Sequence, residues 1–248
     1  MRVRRLDSLS DDDRASILDR EASADVEDDV RPIVETVREG GDDALREYTR
    51  EFDGVDVEEI RVSEDRIDEA RSACDDTLLR AVEDAADRIR SFHERQVSED
   101  WSASKNGIEV GRRFVPLSSA GAYVPGGGAA YPSTALMTVI PARVAGVGHI
   151  VACTPPPVPD ATLAALSVAG ADEVYRVGGA QSIAAMGYGT ETVEACDAVV
   201  GPGNVYVTEA KRQVRDADEA RIEFPAGPSE ILVIADGTGN ADGTGTRA

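Results

Sequence analysis

The chain has 248 residues, of which 47 are acidic and 26 basic, and its formal net charge at pH 7 is −21. This charge argues against nucleic acid and anionic membrane surfaces as general partners, because both would repel the protein. No segment approaches the roughly 18 uncharged apolar residues of a membrane-spanning helix, and no apolar stretch follows the basic residues at the start. We therefore expect a cytoplasmic protein of one large or two modest domains.

The acidic residues are spread along segments of helical pattern and do not form a tail. A surface of this kind stays hydrated in concentrated salt, where the repulsion between its charges is screened. The sequence thus predicts a halophilic protein. We expect its melting temperature to rise between low and molar salt, which thermal unfolding followed by circular dichroism would measure. A melting temperature that stays constant or falls would contradict this prediction.

Cysteine and histidine are too dispersed to predict a metal site or a catalytic pair. The three cysteines lack the spacing of zinc ligands, and Cys153 and Cys196 lie in or beside apolar segments, so we interpret them as small buried side chains. A nucleophilic cysteine is the alternative, but no histidine is near either residue in the sequence. The two histidines, His93 and His149, lack carboxylates at ligand spacing, which favours structural roles.

Residues 1–116 are predicted to form a helical N-terminal region. Apolar residues recur every three or four positions between Val26 and Val37, and Gly40-Gly41 ends that segment. Ser63 is a candidate N-cap for a further helix. Asn106-Gly107 lies within an alternating segment and predicts a hairpin turn.

Residues 117–236 have a different sequence pattern, in which short segments rich in β-branched residues alternate with segments of helical periodicity. The predicted strands are Ala122–Val124, Ile150–Cys153, Val174–Val177, Ala198–Val200 and Ile231–Ile234. This alternation predicts βαβ units and an α/β fold with a doubly wound parallel sheet. Residues 237–248 have no periodicity and mostly small or polar side chains, which predicts a disordered tail.

Four glycine-rich segments lie beside predicted strands, at residues 123–128, 177–181, 201–204 and 226–230. In an open α/β sheet, ligands bind beyond the carboxyl ends of the strands, where glycine lets backbone amides approach a phosphate. Each glycine could instead serve only a turn. The usual dinucleotide fingerprint is missing, since Tyr206 stands where its third glycine belongs, and no NTPase phosphate-binding motif occurs. These rules predict only a nucleotide-binding α/β domain.

The same segments carry a resemblance to a known family. The stretches GAYVPGGGAAYPSTALMTVIPARVAGV, GGAQSIAAMGYGTE, GPGNVYVTEAKRQV and AGPSEILVIAD resemble histidinol dehydrogenases in sequence and in order, from about Arg113 to Asp236. The resemblance implies an incomplete Rossmann-like domain that binds NAD, in a zinc-dependent oxidoreductase of histidine biosynthesis. Such enzymes oxidise L-histidinol through L-histidinal to L-histidine, and an intertwined homodimer is also implied.

The resemblance assigns cofactor contacts to Tyr123, Gln181 and Asn204, and a substrate contact to Ser229. A tyrosine offers a ring and a hydroxyl, and the two amides can donate and accept hydrogen bonds toward ribose or phosphate oxygens. The alternative interpretation is a packing tyrosine and two helix-capping amides.

Other parts of the family pattern have no counterpart in this sequence. The zinc-ligand motif that follows the AGPSE strand is missing, as is the Glu-His acid–base pair, so neither catalytic residues nor metal ligands are assigned. We expect a truncated chain that is inactive alone, whose N-terminal helices lack sheet partners and expose apolar surface. The alternatives are a non-catalytic nucleotide-binding or dimerisation module, and a dehydrogenase of a related amino alcohol or sulfonate.

Overall fold

The structure is a computed structural model that describes Ser10, residues 26–127 and residues 129–223. Its helices are α1 (Glu27–Tyr48), α2 (Glu64–Ala73), α3 (Asp76–Glu94), α4 (Pro132–Val144), α5 (Asp160–Ala169), α6 (Gly179–Tyr188) and α7 (Val205–Asp216). Its strands are β1 (Trp101–Lys105), β2 (Ile108–Arg112), β3 (Ser119–Tyr123), β4 (His149–Cys153), β5 (Glu173–Tyr175), β6 (Ala198–Val200) and β7 (Arg221–Ile222). A π-helical segment, Thr49–Asp53, continues α1. None of these helices is long and apolar enough to cross a membrane.

Five parallel strands form the central sheet in the order β5-β4-β3-β6-β7. Counted from β3, this is the order 3-2-1-4-5 of doubly wound nucleotide-binding domains, and the order reverses between β3 and β6. The register pairs Tyr123 at the end of β3 with Cys153 at the end of β4, and Ala122 with Val200 at the end of β6. The predicted α/β fold with a parallel sheet is confirmed.

Helices cover both faces of the sheet and bury two separate apolar clusters. One face carries α6 and α7, on which α1 packs, and its cluster includes Leu45 and Ile183. The other face carries α4 and α5, on which α2 and α3 pack, and its cluster includes Ile140 and Leu166. Successive residues of a strand contribute alternately to the two clusters, because their side chains point to opposite faces. The chain from Asp25 to Pro225 forms one compact unit.

The N-terminal helices are predicted to lack sheet partners and to expose apolar surface, and the second part is wrong for α1, which packs on α6 and α7; the segment between α1 and α2 also pairs with the sheet. The apolar side of α1 packs on the sheet side that carries α6 and α7, with Val30 and Leu45 fully buried. Residues 60–62 run antiparallel to β5, with hydrogen bonds of 2.8 Å from Val62 N to Val174 O and 2.9 Å from Arg176 N to Ile60 O. Among the N-terminal helices, α3 does expose apolar side chains, at Leu78 and Phe92, and the β1–β2 hairpin exposes Trp101, Ile108 and Val110.

The cap, the hairpin turn and the helix end that the sequence predicts in the N-terminal region are all present in the structure. Ser63 caps α2, and its hydroxyl accepts a hydrogen bond from the amide of Arg66 at 3.2 Å. Asn106 and Gly107 both have positive φ and form the turn between β1 and β2. Gly41 has φ 54° and ψ −134°, which interrupts the helical geometry of α1 where the sequence predicts a helix end.

The two cysteines of the sheet region are buried, as predicted. Burial raises the pKa of the Cys196 thiol to about 12 and that of Cys153 well above its usual value. Because the thiolate is the nucleophilic form, neither residue is suited to covalent catalysis near neutral pH. Strand β7 was not predicted, since its two residues are too few to show a periodicity. The predicted strand Ile231–Ile234, Ser229 and the tail 237–248 lie outside the described residues.

Candidate functional site

The reversal of strand order places a crevice at the carboxyl ends of β3 and β6. The segment after β3 leads to α4 on one face of the sheet, and the segment after β6, Gly201–Asn204, leads to α7 on the other. Doubly wound sheets bind their ligands in such a crevice. Three helices, α4, α6 and α7, begin at this edge, and their first backbone N–H groups favour an anionic group.

Gly201 allows the two sides of the crevice to approach each other closely. Its φ is 118°, and a Cβ at this position would overlap the carbonyl oxygen of Tyr123 and lie 3.0 Å from its carbonyl carbon. Both the backbone conformation and the contact therefore require glycine here.

Pro155 holds together the segments that follow β3, β4 and β5. A Cβ on Gly126 would lie 2.7 Å from the Pro155 Cγ, and a Cβ on Gly178 would lie 3.0 Å from the Pro155 Cα. The proline ring therefore packs against the backbone of two glycine-rich segments at once. This edge of the sheet is tightly packed before any ligand binds.

Tyr123 lies at the end of β3 with 6% of its surface exposed. Its hydroxyl accepts a hydrogen bond from the amide of Gly179 at 3.4 Å, which links β3 to the start of α6. Burial raises the pKa of Tyr123, the Gly179 amide lowers it, and the charge of Asp53 raises it, with a net upward shift. The hydroxyl therefore keeps its hydrogen near neutral pH and can donate it.

Gln181 lies in the first turn of α6 and is 1% exposed. Among the described residues, neither its side-chain nitrogen nor its side-chain oxygen has a hydrogen-bond partner. A buried polar group without a partner carries its full desolvation penalty, about 1–3 kcal/mol. Gln181 does not cap a helix, so this part of the alternative interpretation is not observed. Its amide is the clearest sign of an external hydrogen-bonding group at this edge.

Asn204 caps α7, and its Oδ1 accepts a hydrogen bond from the amide of Val207 at 3.0 Å. For this residue the capping interpretation is therefore observed. The cap uses only the oxygen of the side chain, and the –NH2 group of an amide is a separate donor. Asn204 is exposed and lies at the mouth of the crevice beside Gly203, so capping is compatible with a contact to a ligand.

Lys211 is a buried cation that the sequence analysis did not single out. It is 5% exposed, and its Nζ donates hydrogen bonds to the carbonyl of Gly201 and to the carboxylate of Glu223. Burial lowers the pKa of Lys211, and Glu223 opposes that effect only in part. The lysine thus fixes the segment after β6 to the end of β7. In the sequence it resembles any lysine of an amphipathic helix, and no local signal distinguishes it.

Asp53 is a second residue to which no sequence signal assigns a role. It ends the π-helical segment, and Gly54 follows with φ 67°. Its Oδ2 is buried and has no hydrogen-bond partner among the described residues. Burial raises the pKa of this carboxyl group.

The sequence model of the family named histidinol dehydrogenase matches residues 18–244 of this chain. The chain belongs to the histidinol dehydrogenase family. This membership confirms the resemblance seen in the four glycine-rich motifs, which the sequence analysis used to identify the family.

Individual relatives agree with the family match. The chain is 57% identical to the histidinol dehydrogenase of Haloarcula marismortui over 240 residues, which are 96% of this chain and 56% of that protein. It is 52% identical to the enzyme of Methanothermobacter thermautotrophicus over 237 residues, which are 92% of this chain and 55% of that protein. The crystal structure of histidinol dehydrogenase from Elizabethkingia anophelis superposes with a TM-score of 0.82 at 39% identity, over 89% of this chain and 52% of that one.

The chain thus spans little more than half the length of these members of the histidinol dehydrogenase family. Within residues 26–127 and 129–223, no three His, Cys, Asp or Glu side chains converge in a way that could hold a metal ion. The part of the chain that is described therefore does not fit zinc. It does fit a dinucleotide, because it offers an unpartnered buried amide and three helix N-termini at one edge.

Proposed function

We propose that this chain binds NAD at the carboxyl edge of its sheet and supplies the cofactor site for the oxidation of L-histidinol to L-histidine. Family membership supports an oxidoreductase of this class. NAD, when bound, would supply the hydride acceptor, and two NAD molecules in turn would take the two hydrides that oxidation of an alcohol to an acid releases. The zinc and the homodimer that the family resemblance implies are proposals for the whole protein.

The observation that carries the proposal is the buried Gln181 amide without a partner. It lies directly after Gly178 and Gly179, and a Cβ on Gly179 would be 2.5 Å from the Gln181 Oε1. The glycine therefore makes room for the amide close to the backbone at the start of α6. An amide can both donate and accept, which suits the hydroxyl and phosphate oxygens of a dinucleotide.

The other two assigned residues fit the same role. Tyr123 has a protonated hydroxyl beside the first amides of α6. Asn204 caps the N-terminus of α7, which faces the crevice. Together with the first backbone amides of α4, α6 and α7, they would orient the cofactor and bind its phosphates.

Replacing Gln181 with leucine tests the proposal with little risk to the fold. We expect Gln181→Leu to raise the dissociation constant for NAD about tenfold, because the hydrogen bonds between the uncharged Gln181 amide and the cofactor are lost. We also expect its melting temperature to stay equal or rise, since a buried polar group without partners is removed. Titration calorimetry and thermal unfolding would measure both quantities.

A matched control is Gln96→Leu, because Gln96 is exposed after the end of α3. It should leave NAD binding unchanged. Asn204→Ala is a less clean test, since loss of the cap would itself destabilise α7 by about 1 kcal/mol. Equal affinity of the wild-type chain and Gln181→Leu for NAD would overturn the assignment of Gln181.

A non-catalytic nucleotide-binding module is the second candidate, favoured by the lack of a metal-ligand group in the described part of the chain. The two candidates differ in one assay, the production of NADH from L-histidinol with zinc supplied. Turnover in the wild-type chain that falls in Gln181→Leu would favour the enzyme. NAD binding without turnover would favour the module.

A further inference from the structure

Lys211 is a buried charge in the second turn of α7, in contact with the segment that follows β6. Its Nζ donates to the carbonyl oxygen of Gly201 and to the carboxylate of Glu223, and only 5% of the residue is exposed. A buried ammonium loses its hydration, and the replacement of a buried ion pair by apolar side chains often leaves a protein equally stable. Stability alone therefore gives little reason for a charge at this position.

Lysine is rare in this chain. Only two of the 26 basic residues are lysines, and the other, Lys105, is exposed in the β1–β2 hairpin. Arginine carries a planar fork of donors, whereas the ammonium of lysine is compact and can direct its three donors to separate acceptors. The two acceptors at Lys211 come from different segments of the chain. The residue type at this position therefore fits the contacts that it makes.

The carbonyl of Gly201 is the point at which Lys211 acts on the crevice. Gly201 lies against the backbone of Tyr123, so this segment has little room to move. The peptide bond after Gly201 leads to Pro202, which has no N–H group, so this peptide unit offers only its oxygen to a ligand. That oxygen would repel the phosphates of a dinucleotide if it faced them. In the structure it is instead bound to the buried ammonium.

The residues that follow Pro202 remain available to a ligand. Gly203 and Asn204 are exposed, and Asn204 caps α7, whose first amides favour an anionic group. The positive charge of Lys211 lies against the start of the same segment and attracts phosphate groups as well. Both the hydrogen bond and the charge of Lys211 thus favour an anionic ligand at the end of β6.

We propose that Lys211 is a positioning residue of the dinucleotide site. Its ammonium holds the carbonyl of Gly201 away from the crevice, so that the segment Gly201–Asn204 presents N–H groups to the phosphates of the cofactor. The contact with Glu223 keeps the ammonium in place. This inference rests on the proposed function, since it requires that a dinucleotide binds at this edge.

The main test compares the wild-type chain with Lys211→Met and Lys105→Met. Methionine is unbranched like lysine, and it lacks both the charge and the donors. NAD is the probe, with affinity measured by titration calorimetry and stability of the free protein by thermal unfolding. We expect Lys211→Met to weaken NAD binding about tenfold at a temperature where the variant is fully folded. Lys105→Met is the matched control and should change the affinity less than about twofold.

Glu223→Gln separates the two contacts of the ammonium. Glutamine keeps an oxygen that can accept a hydrogen bond from Lys211 but removes the ion pair. We expect this variant to bind NAD within about twofold of the wild-type affinity, because the contact with Gly201 is retained. A loss as large as that of Lys211→Met would overturn the inference, since it would show that the ion pair is what matters.

The two lysines also allow a measurement that removes no contact of Lys211. In a chain whose lysine side chains are labelled with carbon-13, Lys105→Met removes one of the two Cε signals from the NMR spectrum and so assigns the other to Lys211. We expect the Lys211 signal to shift when NAD is added and the Lys105 signal to stay in place. This measurement holds even if Lys211→Met fails to fold. A Lys211 signal that does not change in the NAD-saturated protein would contradict the proposed role.

The outcomes separate the two proposals. If the wild-type chain fails to bind NAD, the proposed function is wrong, and the inference on Lys211 falls with it. If the wild-type chain binds NAD and folded Lys211→Met binds it equally well, only the inference on Lys211 is overturned. A lower melting temperature of Lys211→Met with unchanged affinity would have the same meaning, because it would show that the lysine serves stability alone.

Discussion

Gly201→Ala is expected to weaken NAD binding at least about 100-fold and to lower the free energy of unfolding by about 3 kcal/mol. The added Cβ would overlap the carbonyl oxygen of Tyr123, and the backbone at φ 118° is unfavourable for alanine. Neither strain can be relieved by turning a side chain, because the opposing atoms are backbone. The segments after β3 and β6 would have to separate, and the crevice would change shape.

Gly107→Ala is the control for this substitution. Gly107 also has a positive φ, 77°, but nothing lies within 4 Å of a Cβ built there. We expect it to lower the free energy of unfolding by only about 1 kcal/mol and to leave NAD binding unchanged. Urea unfolding and titration calorimetry would measure both variants. Similar losses in the two would show that the conformation of glycine, and not the contact with Tyr123, is the cause.

Asp42→Ala is expected to lower the free energy of unfolding by about 3–5 kcal/mol. Its carboxylate is 9% exposed and joins α1 to the segment after α6. Thr190 Oγ1 donates to it at 2.7 Å, the Thr192 amide donates at 3.2 Å, and the Thr192 hydroxyl donates as well. Removal of the acid would leave several buried donors without an acceptor. Urea unfolding would measure the loss.

The neighbouring acid provides the control. Asp43 has a side chain that is 95% exposed and pairs with Arg46 on the surface, so Asp43→Ala should change the free energy of unfolding by less than about 0.5 kcal/mol. Equal losses for Asp42→Ala and Asp43→Ala would contradict the role given to the buried network.

The stability that Asp42 contributes should depend on pH in a definite direction. Burial tends to raise its pKa, but hydrogen bonds from Thr192 and Thr190 and the charge of Arg46 outweigh burial and hold the pKa below its usual value of 3.8. A lowered pKa in the folded state stabilises the protein above that usual value, and this contribution is lost as the pH falls through the folded value. The difference between wild type and Asp42→Ala should therefore shrink in acid and stay constant near neutral pH.

The sequence predicts the sheet well where its signals are local. The apolar runs at β3, β4 and β6, the cap at Ser63 and the hairpin turn at Asn106-Gly107 all depend on residues close together in the chain. The candidate ligand-binding edge of the sheet also follows from sequence, because three glycine-rich segments, at residues 123–128, 177–181 and 201–204, come after strands. Its candidate residues Tyr123 and Gln181 came from family resemblance.

What the sequence does not predict depends on contacts between distant segments. Asp42 and Thr190 are 148 positions apart, and nothing near either residue indicates that they meet. Asp53 and Lys211 resemble ordinary surface charges until the fold places them against the sheet. The sequence also does not show why each glycine is needed. Gly201 is required because the backbone of Tyr123 lies against it, whereas other glycines are required only by the backbone conformation of a turn.

The bridge between residues 60–62 and β5 has a consequence for the behaviour of the chain in solution. A strand at the border of a parallel sheet presents unpaired N–H and C=O groups, onto which a foreign strand can add. Here the backbone of Ile60 and Val62 already occupies that border through hydrogen bonds to Arg176 and Val174. The segment that leads from α1 to α2 therefore covers the edge strand β5, and this should prevent the addition of a strand from another molecule and so reduce aggregation.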